Sequence, residues 1–178
     1  ALLVVVACWG STLQANDWEN APISEVQKAA EQGNVDAQSL LGAMYANGFG
    51  VAQDYKQAVA WTRKAAEQGN VGAQGLLGVL YKYGMGVAQD YKQAVAWTRK
   101  AAEQGNVDAQ LQLGLMYEDG RGVAQDDKQA VAWYRKAAEQ GNVDAQILLG
   151  IKYEDGKGVA QDDKQAVAWY RKAAEQGN

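Results

Sequence analysis

Few residue types in this chain could carry out chemistry. Among its 178 residues there is no histidine and one cysteine, Cys8. Nucleophilic catalysis with a histidine base is therefore excluded, as are zinc sites built from Cys and His. A single thiol also excludes a disulfide within the chain. Carboxylates, lysine, arginine and tyrosine remain, so any chemistry would have to depend on the acids.

Two pairs of adjacent acids are the candidates for such chemistry, Glu118-Asp119 and Asp126-Asp127. Catalytic carboxylate pairs need a fixed separation and a buried member with a raised pKa. These pairs lie where one predicted helix ends and the next begins, positions typical of solvated caps, and their spacing does not match a calcium-binding loop. We therefore predict no catalytic residue, no metal site and no cofactor.

Charge and hydropathy argue against two classes of partner. The chain has 21 acidic and 17 basic residues, a net charge of −4, which does not favour nucleic acid, whose phosphates need clustered Lys and Arg. The longest apolar run, residues 1–7, is far shorter than the ~20 residues of a membrane span. We expect neither nucleic acid binding nor a membrane span.

The apolar run ALLVVVA at residues 1–7 suits the core of a secretory signal peptide. Cleavage after Ala15 would leave a mature chain that starts at Asn16. Alternatively, residues 5–8 resemble a bacterial lipobox, which would make Cys8 a lipid anchor. A stray apolar terminus is the third reading. We expect residues 1–15 to be a signal-peptide remnant and the protein to be exported: periplasmic, anchored at the outer envelope, or secreted.

The rest of the chain is an internal repeat with a period of 36 residues. Each unit begins with AAEQGN, and most columns are identical in all copies. Four units occupy residues 29–64, 65–100, 101–136 and 137–172, and the start of a fifth follows at 173–178.

Each unit predicts two antiparallel helices and no strand. Asn34 is a suitable N-cap for a first helix that Gly48 ends, and Asp54 is a suitable N-cap for a second helix that Gly69 ends. Apolar residues recur at helical spacing between these signals. Before the repeats, residues 16–28 predict an irregular segment and the start of a capping helix, with Ser24 and Gln27 forming a capping box.

Small and large residues at fixed columns predict how the units stack. A mid-helix glycine costs about 1 kcal/mol relative to alanine, so its recurrence predicts close approach of a neighbouring helix. These glycines are Gly42, Gly78, Gly114 and Gly150. The large core side chain of each unit is predicted to be Trp61, Trp97, Trp133 or Trp169. Two columns change together: the first repeat carries Tyr55 with Thr62, whereas the third carries Asp127 with Tyr134. We interpret this change as an aromatic side chain that has moved along one helix face.

The pattern A-x-x-L-G-x-x-Y-x-x-G-x-G-V, followed by D-x-x-x-A-x-x-W-x-x-x-A-A-x-x-G, resembles the Sel-one-like repeat (SLR) family, relatives of the tetratricopeptide repeats. The resemblance covers residues 24–178. It implies an all-α fold, a right-handed α-solenoid of antiparallel helix pairs, used as a protein-binding adaptor. The cysteine-rich branch of the family carries a disulfide in each repeat, and this chain lacks those cysteines.

The variable columns of the first helices predict where a partner binds, because columns that face outward are free to diverge. In the last two units we expect an exposed apolar strip rimmed by acids, facing an apolar and basic segment of a partner protein. The predicted groove residues are Lys82, Tyr83, Asp108, Leu111, Leu115, Glu118, Asp119, Asp144, Ile147, Ile151, Glu154 and Asp155.

Three functions remain open at this point. The first is an exported, non-enzymatic adaptor that binds a partner protein or peptide in the groove. The second is a structural or self-associating component of the cell envelope. The third is a binder of cell-wall glycan or peptide.

Overall fold

The computed structural model describes residues 21–176, and this part of the chain contains nine helices and no strand. The helices are α1 (Ile23–Glu31), α2 (Val35–Asn47), α3 (Tyr55–Glu67), α4 (Val71–Tyr83), α5 (Tyr91–Glu103), α6 (Val107–Asp119), α7 (Asp127–Glu139), α8 (Val143–Asp155) and α9 (Asp163–Gln176). They form two compact units, one ending at Gln104 and the other beginning at Gly105. The predicted all-α fold of paired helices is confirmed. The predictions for residues 1–20 lie outside the described part.

The predicted capping residues set the helix ends. The Asn34 Oδ1 accepts a hydrogen bond from the Ala37 amide at 2.9 Å, and Gly48 follows α2 with a φ of +73°. The Asp54 Oδ1 accepts from the amides of Lys56 and Gln57 at the start of α3. Equivalent residues repeat this arrangement along the chain, so local signals fix each helix–loop–helix unit.

The capping box predicted for the helix before the repeats is wrong. The helix begins at Ile23, after Pro22, whose side chain makes no capping bond. The Glu25 amide donates to the Pro22 carbonyl at 2.9 Å, so Ser24 already lies inside the first turn. Pro22 is the N-cap residue and has an extended conformation, with a φ of −57° and a ψ of 140°.

Paired helices approach closely at the mid-helix glycines, as predicted. A Cβ on Gly42 of α2 would overlap the Thr62 Oγ1 of α3 and lie 3.0 Å from the Thr62 backbone nitrogen. In the third repeat, Gly114 of α6 lies against the ring of Tyr134, which is fully buried. Gly42 thus allows the backbone of α3 to approach α2 closely, whereas Gly114 leaves room for the aromatic ring of Tyr134.

A buried glutamine ladder joins successive helices, and sequence reasoning missed it. Gln38 is 5% exposed; its Nε2 donates to the Ala30 carbonyl at 3.0 Å, and its Oε1 accepts from the Gln68 Nε2 at 2.8 Å. Because Gln68 follows α3 and Gln38 lies at the start of α2, these bonds also establish that the two helices are antiparallel. Three further pairs repeat the side-chain bond: Gln74–Gln104, Gln110–Gln140 and Gln146–Gln176. The sequence did contain a signal for this ladder, because the positions of Gln38 and Gln68 are glutamine in every repeat.

The repeated tryptophans are core residues in part. Trp133 and Trp169 are 9% exposed, as predicted, whereas Trp61 and Trp97 are only half-buried. A lysine one turn later covers a face of each indole; the Lys64 Nζ lies 4.0 Å from the centroid of the Trp61 ring. Such cation–π contacts contribute about 0.5–1 kcal/mol at exposed sites.

Candidate functional site

A surface depression of about 380 Å³ lies between α6 and α8, in the compact unit that begins at Gly105. Its lining comes from two first helices of successive repeats and is largely aliphatic. The lining residues are Leu111, Gln112, Leu115, Asp144, Ile147 and Leu148. Four of the predicted groove residues therefore lie together here.

The apolar strip is less exposed than predicted. Ile147 and Ile151 are 40% and 39% exposed, and Leu115 is half-buried. The expectation that Leu111 is exposed is wrong: it is 8% exposed and packs with Leu149 and Ala145 of α8. The cause is the following repeat, whose first helix covers this column.

The same column is also covered in the first unit. Ser39 is 6% exposed, and its hydroxyl donates to the Oδ1 of Asn70, the cap of α4, at 3.1 Å. Variability in this column therefore does not signify solvent exposure, contrary to the assumption behind the groove prediction.

Glu118 does not rim the strip as a free acid, so that expectation is also wrong. Its Oε1 accepts from the Lys152 Nζ at 2.8 Å, and its Oε2 accepts from the Tyr134 hydroxyl at 2.5 Å. Lys152 is only 4% exposed and also donates to the Asp127 Oδ1 at 3.1 Å. We call these four residues the Lys152 network. It joins the third and fourth repeats through side chains rather than offering negative charge to a partner.

The Lys152 network holds Glu118 and Lys152 in their charged forms. Burial alone would raise the pKa of Glu118, but hydrogen bonds from Lys152 and Tyr134 outweigh it, and the pKa is lowered. Burial alone would lower the pKa of Lys152, but hydrogen bonds to Glu118 and Asp127 raise it. Burial, together with the bond to Glu118, raises the pKa of Tyr134. The network is therefore a stabilised ion pair at neutral pH.

We expect acid to weaken the fold partly through Glu118. A carboxyl group whose pKa is lowered in the folded state stabilises the fold above its unfolded pKa, and this contribution is lost as the pH falls through the folded value. This loss begins as the pH falls below the unfolded value of about 4.3, and Lys152 stays charged throughout. Urea unfolding at pH 7 and pH 3 should show a smaller loss of stability for Glu118→Gln than for the parent. Equal losses would contradict this assignment.

The other acids at the ends of α6 and α8 are exposed but have nearby partners. Asp119 and Asp155 form salt bridges of 3.2 Å with Arg121 and Lys157 in the following loops. The Glu154 Oε2 accepts from the Tyr170 hydroxyl at 2.7 Å, which raises the pKa of Tyr170 to about 12. These salt bridges and this hydrogen bond leave less negative charge available to a binding partner at the C-terminal ends of α6 and α8.

The acids in the first turns of α6 and α8 are the better candidates for attracting a cation. Asp144 is exposed and lines the depression. Asp108 is half-buried, and this burial raises its pKa. The remaining predicted residues, Lys82 and Tyr83, lie at the end of α4 in the second repeat, where Tyr83 is 52% exposed. The Lys82 Nζ lies 5.3 Å from the centroid of that ring.

Sequence reasoning missed the role of Lys152. The signal was available, because the same column carries Met44, Leu80 and Met116 in the other units. A lysine on an otherwise apolar stripe needs a buried partner, and acids first appear in the columns of Glu118 and Asp127 in the repeat that precedes Lys152.

Comparison with known families decides what kind of protein this is. The Sel1 repeat model matches residues 27–34, 35–70, 71–106, 107–142 and 143–178. The chain belongs to the Sel1 repeat family. The four matches from residue 35 onward have the 36-residue period found above and begin at the first helix of each pair. The resemblance to the Sel-one-like repeats is therefore confirmed. No curated protein sequence matches significantly.

Solved Sel1 repeat proteins share the fold. A protective antigen of uropathogenic Escherichia coli strains, which displays an SLR fold, is 46% identical over 89% of this chain, with a TM-score of 0.86. A Sel1 repeat protein from Oxalobacter formigenes is 40% identical over 88%, with a TM-score of 0.82. This chain spans 34% and 64% of their lengths. Cysteine-rich protein B of Helicobacter pylori is 28% identical, with a TM-score of 0.55; the match covers 71% of this chain and 96% of that protein.

Membership narrows the function class. Sel1 repeat proteins typically mediate protein–protein interaction, and their fold is typically a non-catalytic scaffold. Within residues 21–176, no helix is long and apolar enough to cross a membrane. The same part of the chain holds no cluster of acids arranged to bind a metal ion.

Proposed function

We propose that this Sel1 repeat protein is a non-enzymatic adaptor that binds a segment of another protein on the depression between α6 and α8. The observation that carries the proposal is the apolar lining around Leu115, Ile147 and Leu148, in which Ile147 is exposed and the two leucines are half-buried. Grouped exposed aliphatic side chains usually mark interaction sites.

The charge of the partner segment follows from Asp144. This carboxylate lines the depression and is exposed, whereas Glu118 is occupied by the Lys152 network. An aliphatic segment with a Lys or Arg placed at the start of α8 would gain both apolar burial and charge complementarity. We therefore expect the basic residue of the partner to contact Asp144 in the first turn of α8, rather than the acids at the C-terminal ends of α6 and α8.

The proposal can be tested with short random peptides displayed on phage and selected on the whole chain. Selected sequences should combine aliphatic residues with Lys or Arg. Leu115→Asp should weaken the best peptide by about tenfold, or ~1.4 kcal/mol, because it places a charge in the apolar lining. Binding is measured by titration calorimetry, and helicity by circular dichroism.

The matched control is Ala43→Asp, at the same column in the first unit, where the residue is also half-buried. It should leave peptide affinity unchanged. Asp144→Asn should reduce the salt dependence of binding. If Leu115→Asp and Ala43→Asp had equal effects, or if no aliphatic and basic peptide were selected, binding on this surface would be disproved.

Export is the second part of the proposal. It is supported by the apolar run at residues 1–7, and by repeats without cysteine, which have no thiol to oxidise outside the cytoplasm. Alkaline phosphatase fused to the end of the chain should be active in a bacterial host, since this reporter needs an oxidising compartment. Labelled palmitate should be incorporated only if Cys8 is the lipid anchor, and Cys8→Ala would then abolish the label.

A further inference from the structure

Two helix interfaces of this chain have the same apolar centre. In the first compact unit, Leu77 of α4 lies in a buried cluster with Val59 of α3. In the second, Leu149 of α8 lies in a buried cluster with Val131 of α7. These residues occupy the same columns of the repeat, and so do the buried alanines around them. The shared apolar contacts therefore do not distinguish one pair of repeats from the other.

The hydrogen bonds at the edge of the two interfaces are also alike. The Arg63 Nη2 donates to the Tyr81 hydroxyl at 2.7 Å, and the Arg135 Nη2 donates to the Tyr153 hydroxyl at 2.8 Å. A chain of such similar repeats has alternative pairings of nearly equal energy, within one copy or between two copies, unless some contact discriminates among them.

The two interfaces differ in charge at one column of the first helix, which holds Leu80 in the second repeat and Lys152 in the fourth. Leu80 is fully buried and packs with Ala46 and half-buried Tyr55 of the preceding repeat. Lys152 is also buried, but it pairs with the two acids of the Lys152 network. The same column thus makes an apolar contact in one pair of repeats and an ionic contact in the other.

The acids that receive Lys152 are absent from the first two repeats. Their columns hold Ala46 and Tyr55 in the first repeat, and Lys82 and Tyr91 in the second. A fourth repeat packed on the first would bury the Lys152 ammonium with no carboxylate at these columns, and one packed on the second would place it beside the column of another lysine. Burying a charge without a counter-charge is strongly unfavourable. Of the repeats that precede Lys152, only the third can therefore receive it.

We propose that the Lys152 network is a register device, which directs the fourth repeat onto the third and opposes its packing on the first or the second, in the same copy or in another. A buried polar contact can specify a pairing that apolar contacts leave open, as a buried asparagine does in coiled coils. Here the apolar centre and the arginine–tyrosine bond are common to both interfaces, so the ionic column supplies the difference.

Leu80→Lys in the whole chain reproduces a misplaced lysine, because it brings an ammonium to the interface of the first two repeats. It should raise the equilibrium constant for unfolding by about a hundredfold or more, as measured by urea unfolding. The matched control is Leu80→Met, an uncharged side chain of similar length that occupies this column in the first and third repeats. It should change the constant by about tenfold or less.

Copying the surroundings of Lys152 into the first repeat should rescue the new lysine. The changes are Ala46→Glu, Tyr55→Asp and Thr62→Tyr, which give this repeat the residues of the third at the same columns. Added to Leu80→Lys, they should recover most of the lost stability, whereas in a chain that keeps Leu80 they should be destabilising. Opposite effects of the same three changes separate selective pairing from a general tolerance of charge.

Exchanging the order of the repeats tests the register itself. One chain exchanges residues 107–142 with 143–178, so that Lys152 follows the repeat that carries Lys82 and Tyr91. The matched chain exchanges residues 35–70 with 71–106 and keeps the third and fourth repeats in their order. Both chains have the composition of the parent. We expect the first to unfold at a lower urea concentration than the second, and Lys152→Met to stabilise the first but destabilise the second.

Several results would overturn the register device. Equal stability of the two exchanged chains would do so, as would an effect of Lys152→Met with the same sign in both, or a first exchanged chain that Lys152→Met does not stabilise. Leu80→Lys with no more effect than Leu80→Met, or no rescue by the three changes, would also contradict it. None of these measurements involves a binding partner, so their outcome is independent of the proposed function.

Discussion

Glu118→Ala is expected to lower the free energy of unfolding by about 3 kcal/mol, because breaking a buried ion pair leaves an uncompensated charge. The charge is that of Lys152, which is 4% exposed and would keep only Asp127 as an ionic partner among the described residues. Part of the Glu118 side chain reaches solvent, so the lower end of the usual 3–5 kcal/mol range applies. Urea unfolding at pH 7 measures the change.

The first two repeats contain the control for this experiment. There Leu80 packs with Ala46 and half-buried Tyr55, an apolar cluster at the columns of Lys152, Glu118 and Asp127. Copying it requires Glu118→Ala, Asp127→Tyr, Tyr134→Thr and Lys152→Leu together. Since apolar replacements of buried ion pairs are often neutral or stabilising, we expect the fourfold variant to lie within about 1 kcal/mol of the parent. A fourfold variant as unstable as Glu118→Ala would show that the network is not interchangeable with the apolar cluster.

Gly42→Ala is expected to be the other strongly destabilising change, by about 2 kcal/mol. Alanine favours a helix over glycine by about 1 kcal/mol, but the new Cβ would overlap the Thr62 Oγ1 and press on its backbone nitrogen at 3.0 Å. Overpacking of this kind costs about 1–3 kcal/mol, and the rigid backbone of α3 places this site at the upper end. Thermal and urea unfolding measure the net effect.

Gly72→Ala is the matched control, since the other three units carry aspartate at this helical position and so accommodate a side chain. It should stabilise the chain by about 0.5–1 kcal/mol. Because the Thr62 Oγ1 is buried without a hydrogen-bond partner in the described structure, Thr62→Ala should be nearly neutral alone and should recover part of the loss in Gly42→Ala. No recovery would show that the backbone contact, not the hydroxyl, causes the whole loss.

The helices, their caps and their close contacts could be predicted because each depends on neighbouring residues or on a fixed spacing. Asn34, Gly48 and Asp54 act within a few residues of their own positions, so the chain near them suffices. The capping box predicted at Ser24 was wrong for an equally local reason, since Pro22 is the N-cap and the helix begins at Ile23. The contact at Gly42 was predictable because a recurring helical glycine needs a packing reason.

The candidate site was predicted less well because exposure of its residues depends on helices one repeat away. Leu111 was expected at the surface, yet α8 covers it. Glu118 was expected to face a partner, yet Lys152, far along the chain, neutralises it. The joint change to Asp127 and Tyr134 was explained only by the structure. There the Lys152 ammonium lies between Glu118 and Asp127, and the Tyr134 hydroxyl donates to Glu118.

The amino-acid sequence by itself determined the repeat, the helix boundaries, the family and the points of close helix approach, since these follow from local hydrogen bonding and periodic packing. Only the tertiary structure decided which variable positions face solvent and which acids are free to attract a partner. The reason is that one repeat buries or neutralises the surface of the one before it. Val131 of α7, for example, is buried in a core cluster that α8 of the following repeat completes.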